Sequence, residues 1–224
     1  MRSVLVTAFS MLIGAIQTAG APPRTLPASA TEHLVADLAA SRQQAANVWR
    51  DTVPVNADGT VNAYIEIPLN ETRKYEFDIK TNARFVDRVM PPQVGGYPVN
   101  YGFVPQTISY DGDPFDVLVL GPALPGGKVV RGIPLGVMFM EDEKGLDSKV
   151  VVSPPDRDGR PQFALTPADQ EKIGTYFAHY KEHEPGKFSK VPGWGSAAEG
   201  MAYVVTTHAF FTKCKSTSGP CVLK

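Results

Sequence analysis

Between Thr60 and Val152 the chain keeps repeating one pattern: short runs with an apolar residue at every second position, cut apart by glycine and proline. The runs "YIEIP" (64–68) and "KYEFDI" (74–79) alternate throughout, parts of "KVVRGIPLGVMFM" (128–140) do so, and "KVVVS" (149–153) follows a turn. A period of two sends successive side chains to opposite faces, which is the mark of strands. Twenty glycines and twenty prolines in 224 residues supply the turns and argue against a helical bundle. We therefore expect a compact core of five or more strands, with helices after it. Thr166-Pro167-Ala168-Asp169 offers a cap, a first-position proline and an acid three residues on, opening a helix that should run to about His183. Ser196-Ala197-Ala198-Glu199 opens another, ending near Lys213. The expected class is α+β: a closed or partly open five-stranded β-barrel, OB-like, with two flanking helices.

The first fifty residues follow other rules. "MRSVLVTAFSMLIGAIQTAGA" carries Arg2, an apolar run from about Val4 to Ile16, then small residues, the layout of a secretory signal peptide. A buried helix or an uncleaved anchor is the alternative, although the run is short for a membrane span. Residues 22–55 read as a linker followed by an extra N-terminal helix over 31–50, with Leu34, Leu38, Ala45 and Trp49 roughly on one side and Ser29 with Glu32 as a capping box. Residues 56–224 form the main domain. A secreted or periplasmic location fits the two cysteines, Cys214 and Cys221, which can bond in an oxidising compartment. Closing so short a loop is worth roughly 2–3 kcal/mol. A net charge of −1 gives no global field for nucleic acid, and no membrane partner is expected once a signal is removed.

The chemistry is concentrated in "YDGDPFDVLVL" (110–120), where Asp111, Asp113 and Asp116 sit just before an apolar strand. Two bare carboxylates about 4 Å apart repel by roughly 4 kcal/mol at an effective dielectric of 20. Such groups must splay into water, take up protons or bind a cation, and oxygen-only ligands suit a hard ion such as Mg²⁺ or Ca²⁺. An EF-hand does not fit: Pro114 interrupts the loop, Asp116 stands where glycine is needed and Pro122 where glutamate is needed. His179-Tyr180-Lys181-Glu182-His183 matches the H-x-x-E-H zinc-peptidase pattern, but the only acids beyond it are Glu184 and Glu199, and Pro185 ends the helix at once. In "EDEKGLDSK" (141–149), Glu143-Lys144-Gly145 reads as a hairpin turn that brings Asp142 towards Asp147.

Residues 111–117, "DGDPFDV", satisfy every position of a signature that resembles that of the soluble, family I inorganic pyrophosphatases. The rest follows in order: "IEIP" (65–68), "KYEFD" (74–78), "FVDR" (85–88), "YPVNYGFVPQT" (97–107), "DEKGLDSK" (142–149), "HYK" (179–181) and "GWGSAAE" (193–199). The resemblance covers roughly residues 60–210. It implies hydrolysis of inorganic pyrophosphate to two phosphates by Mg²⁺-assisted in-line attack, with several ions, and a homo-oligomer. It implies Asp111, Asp116 and Asp147 as ligands of a first Mg²⁺, with Asp116 shared by a second. Asp142 and Asp147 would hold ions arriving with substrate, and Glu66 would hold another through water. Asp113 is implied as general base, and Lys74, Arg88, Tyr101, Tyr180 and Lys181 as the groups on the phosphates. Glu76, Tyr97 and Lys149 match supporting positions, and Asp78 stands behind them. An export signal, an extra helix and about one additional residue between Arg88 and Tyr97 depart from the common bacterial pattern, and the helix bears on subunit contacts. A non-catalytic metal- or phosphate-binding protein and a broader phosphohydrolase on nucleotides or polyphosphate are the competing functions.

Overall fold

The computed structural model describes residues 21–215 apart from residue 24, so the signal-like segment and Cys221, with its expected bond to Cys214, lie outside the described residues. The N-terminal stretch is not one helix. It forms α1 (Ala28–Arg42), a turn, and a single helical turn α2 (Val48–Asp51). α1 opens after Pro27, so it begins inside the stretch read as a linker, and Ser29 falls within its first turn rather than at a cap. The break has a local cause. Asn47 leaves the helix in an extended conformation and its side chain accepts from Arg50 N, so it caps α2 instead of continuing α1.

Among the described residues nine strands follow: β1 (Val61–Ile67), β2 (Arg73–Asp78), β3 (Ala83–Val89), β4 (Asn100–Phe103), β5 (Asp116–Val119), β6 (Val129–Asp142), β7 (Gly145–Leu146), β8 (Lys149–Ser153) and, after the second long helix, β9 (Ser189–Ser196). β1, β4, β5, β8 and β6 pair in that order, and β6 pairs back onto β1, so five strands close into a ring. All these pairings are antiparallel except β5 with β8. β7 and β9 extend the sheet from β6. "KYEFDI" is not part of the ring: β2 pairs only with β3, as a separate two-stranded hairpin. Nor does β1 keep a wet face. All seven of its residues are buried, because both of its faces are covered.

Each face of the ring has its own apolar cluster. Val117, Val119, Val150, Val152 and Val137 pack with Tyr203 and Val204. The latter two belong to α4 (Ala197–Cys214), which opens on the expected capping box of Ser196 and Glu199. Leu118, Val151, Met138 and Met140 pack with Ile173 and Phe177 of α3 (Pro167–His179), capped by Thr166 and Asp169 as expected. α3 ends four residues before His183. Tyr180 closes it, its N–H donating to Tyr176 O at 2.9 Å, and a turn follows. His179 and Glu182 of the H-x-x-E-H match meet in an exposed pair, 2.6 Å apart. Among the described residues no helix is long and apolar enough to cross a membrane.

A third cluster joins the N-terminal segment to the domain. Leu26, Leu34, Leu38 and Trp49 pack with Ile108, Phe210 and Phe211. Trp49 is fully buried, donates from Nε1 to Thr107 O at 2.9 Å, and meets the Phe211 ring edge-on at 5.0 Å. Truncating a core tryptophan costs about 3–5 kcal/mol. Trp49→Ala is therefore expected to lower the urea-unfolding free energy by about that much. A loss below about 1 kcal/mol would show that the segment is not part of the folded core.

Candidate active site

Strand irregularities aim the side chains of the site. β1 and β4 pair Ile65 with Gly102 and Ile67 with Tyr101, so Glu66 is the extra residue of a bulge. Gly102 allows this close approach, since a Cβ there would collide with the Tyr64 carbonyl. In the hairpin, Lys74 faces Arg88 while Tyr75 faces Val86, so Asp87 bulges out beside two cations. β5 and β8 run side by side, and their first residues, Asp116 and Lys149, lie next to each other. A two-residue turn at Glu143-Lys144 brings Asp142 level with Gly145, and Asp147 N donates to Met140 O at 2.8 Å.

The result is one cleft with a volume of about 500 Å³. Glu66, Lys74, Glu76, Arg88, Tyr97, Tyr101, Asp111, Asp113, Asp116, Asp142, Asp147, Tyr180 and Lys181 all line it. Lys149 lies just beneath, 1% exposed, with Nζ 2.5 Å from Asp116 Oδ2 and 2.7 Å from Asp147 Oδ1. Every other cation of the group also rests on an acid. Lys74 bonds Glu76, Arg88 meets Asp87 at 2.9 Å and Glu184 at 2.8 Å, and Lys181 meets Asp142 at 2.6 Å. Asp78 lines the cleft too, but its oxygens hold Lys80 N and the Thr81 hydroxyl, both at 2.8 Å, and so shape the tip of the hairpin.

Sequence reasoning passed over Lys144, which reads as an ordinary turn residue. Its ammonium lies 3.7 Å from Asp113 and 3.9 Å from Asp111. Only the pairing of Asp142 with Gly145, which turns that tip back over the aspartates, reveals the role. Asp37 and Ser109 were missed as well, Asp37 because helix α1 reaches the cleft from outside the motif set.

Ten carboxyl groups line the cleft against six ammonium or guanidinium groups, a formal excess of four negative charges. Burial first, and that excess second, raise several of these acids. Burial, then the charges of Glu76 and Asp116, push Glu66 well above the usual carboxylate range. Burial and the Asp147 charge raise Asp111. Burial raises Asp147 to about 7 even though Lys149 pulls it back. The surrounding protein and then Asp111 push Asp113 well up, while its carboxyl stays 67% open to water at the cleft mouth. Lys149 behaves oppositely. Burial works against its charge, but Asp116 and Asp147 outweigh burial and hold it above the ordinary lysine range. Burial raises the hydroxyls of Tyr97, Tyr101 and Tyr180 well above 10, so at neutral pH they are protonated donors.

The donor set fits a hard divalent ion: it is all oxygen, drawn from several elements, and short of positive charge. Among the described residues no three acidic, histidine or cysteine side chains close on one point, and Lys149 and Lys144 sit between the aspartates.

Residues 63–212 match the model of the inorganic pyrophosphatase family. The chain is 44% identical over 152 residues to the inorganic pyrophosphatase of Sulfolobus acidocaldarius, covering 64% of this chain and 87% of that one. It is 40% identical over 171 residues to that of Pseudomonas aeruginosa, covering 72% and 97%. In three dimensions it resembles the crystal structure of an inorganic pyrophosphatase from Neisseria gonorrhoeae, with a TM-score of 0.69, 31% identity, and 75% and 100% of the two chains covered. With that match over most of its length, and with the motif residues gathered in one cleft, the chain belongs to the soluble, family I inorganic pyrophosphatases.

Proposed function

We propose that this protein hydrolyses inorganic pyrophosphate to two phosphates, with Mg²⁺ as the supporting ion. One observation carries the reading: acids, cations and tyrosines from seven separate stretches of chain line a single cleft, in the order of the family's motifs. Asp111, Asp116 and Asp147 would hold a first ion, Asp116 sharing a second. Asp142, Asp147 and, through water, Glu66 would serve those that arrive with substrate. When bound, such ions offset the carboxylate charge, make a proton of the attacking water easier to remove and polarise the phosphoryl oxygens.

The chain's own groups do the rest. Asp113, the most open of the aspartates, takes a proton from the attacking water at its carboxylate oxygen. The water oxygen bonds to one phosphorus, the bridging P–O bond breaks, and the leaving phosphate is held by Lys74, Arg88 and Lys181. These cations leave Glu76, Asp87 and Asp142 for phosphate oxygens, trading one charge-assisted bond for another. The phenols of Tyr101 and Tyr180 donate to the same oxygens. Lys149 orients Asp116 and Asp147, Tyr97 packs under Tyr101, with ring centroids 5.6 Å apart, and Glu76 fixes Lys74. A broader phosphohydrolase and a binding-only protein are separated from this reading by rate: phosphate release from pyrophosphate is expected to exceed that from ATP or tripolyphosphate.

We further propose that residues 1–21 direct export and that residues 56–224 form the catalytic domain. The mature protein would be periplasmic or secreted, homo-oligomeric, and closed by a Cys214–Cys221 bond. The mass of the exported chain tests the first point.

Asp113→Ala is expected to lower kcat by at least about 10²-fold with the fold intact. Full activity would remove Asp113 as base. Protonation sets the pH response of the chelated protein. The native state keeps the Asp147 proton up to about pH 7, whereas an unfolded carboxyl loses it near pH 4, so this group's contribution to stability falls as pH rises between those values. Divalent ions compete with that proton, so the gain in Tm on replacing EDTA with Mg²⁺ should be larger at pH 8 than at pH 6. An equal or smaller gain at pH 8 would contradict the carboxylate site.

A further inference from the structure

The family match begins at residue 63, yet the segment before it reaches both sides of the cleft. On one side, the backbone of α1 lies against the loop that carries Asp111 and Asp113. Gly112, at φ +96°, sits so close that a Cβ there would be 2.7 Å from Ala30 O. Leu34 and Leu38, beyond Ala30, are buried with Ile108 at the root of the same loop. On the other side is the β2–β3 hairpin, which has no ladder to the ring. Its base is tied by Met90 N to Thr72 O at 2.7 Å and by Tyr97 N to Glu71 O at 3.1 Å. Its tip is tied by the N-terminal segment. Gln44 Nε2 donates to Ile79 O at 3.0 Å and Asn47 Nδ2 to the same oxygen at 2.9 Å. Val48 N donates to Asn82 Oδ1 at 2.8 Å, and Lys80 lies 3.5 Å from Asp37 of α1. Asp37 itself lines the cleft.

We propose that the segment from Ala30 to Val48 is a bridge that fixes the hairpin tip relative to the Asp111–Asp113 loop, and so sets the width of the cleft. The kinetic part rests on the pyrophosphatase reading. Gln44, Asn47, Asn82 and Leu34 are positioning residues: each acts through the loop or the hairpin. The hairpin carries Lys74, Glu76 and Arg88, so its placement governs the grip on phosphate. The loop carries Asp111 and Asp113, so its placement governs the ions and the base.

Two full-length variants test this. Gln44→Ala with Asn82→Gly removes the Gln44–Ile79 and Val48–Asn82 bonds and so loosens the tip, leaving Asn47 on Ile79 O and Asp37 near Lys80; glycine keeps the left-handed backbone at Asn82, φ 55°, while removing the side chain. Leu34→Ala loosens α1 beneath the loop. In chelator, amides of residues 76–85 should exchange at least about tenfold faster in the first variant, and those of 109–113 in the second, with the ring strands unchanged. With Mg²⁺, the hairpin variant should raise KM for pyrophosphate at least about fivefold while kcat stays within about twofold. The Leu34 variant should raise the half-saturating Mg²⁺ concentration by a similar factor. Unchanged exchange in the hairpin variant overturns the bridge, as does activity that falls only with the folded fraction. Should Leu34→Ala fail to fold, the milder hairpin variant decides. A parent protein inactive on pyrophosphate would overturn the functional reading alone, leaving the exchange data to judge the bridge.

Discussion

A buried ammonium holds the centre of this molecule together. Lys149 begins β8, Asp116 begins the neighbouring β5, and Asp147 lies two residues upstream of Lys149; the three meet with the lysine 1% exposed and the aspartates 18% and 19%. A lysine buried alone would lose its proton, and two buried aspartates alone would repel. Together they are tolerable, because each charge is paired and hydrogen-bonded. The parallel pairing of β5 with β8 produces this cluster, since it brings Asp116 and Lys149 to the same end of adjacent strands.

The same logic spreads outward. Lys74, Arg88 and Lys181 each rest on an acid at hydrogen-bonding distance, while other acids of the cleft are left short of charge. The cleft is thus neither a plain acidic patch nor a basic one. The aromatic floor adds rigidity: the rings of Tyr97, Tyr101, Phe177 and Tyr180 touch in series, with centroids 5.4–6.2 Å apart. Hydroxyls mounted on such a floor have little freedom to turn away from a ligand.

Much of this was legible in the sequence where short-range chemistry decides it. Three aspartates around Gly112 and Pro114 cannot be an ordinary strand start, and the capping boxes at Thr166 and Ser196 name their own helices. The alternation of β2 was visible, but alternation says nothing about which sheet a strand joins, and "KYEFDI" went to a separate hairpin. β9 was missed because "SKVPGWGS" carries a proline and two glycines; only its pairing with the long β6 makes it a strand. The break at Asn47 was hidden because, although its cap on Arg50 N is local, the same side chain also donates to Ile79 O, 32 residues away in the chain. Glu66 was named from the motif, but its place as the extra residue of a bulge, 5% exposed, depends on the pairing of β1 with β4. Lys144 needed the turn of the hairpin. What local pattern does not encode is partner choice.

The side-by-side run of β5 and β8 has a consequence for the order of assembly. Its two strands are separated in the chain by the whole of β6 and β7, so a parallel contact must wait for that length to be made and folded back. Until residue 153 has joined, the aspartates of the 110s have neither their lysine nor their wall. An unfinished chain emerging from the ribosome therefore carries the early acidic motifs before the lysine that pairs with Asp116 and, later still, before Tyr180 and Lys181, which complete the wall of the cleft.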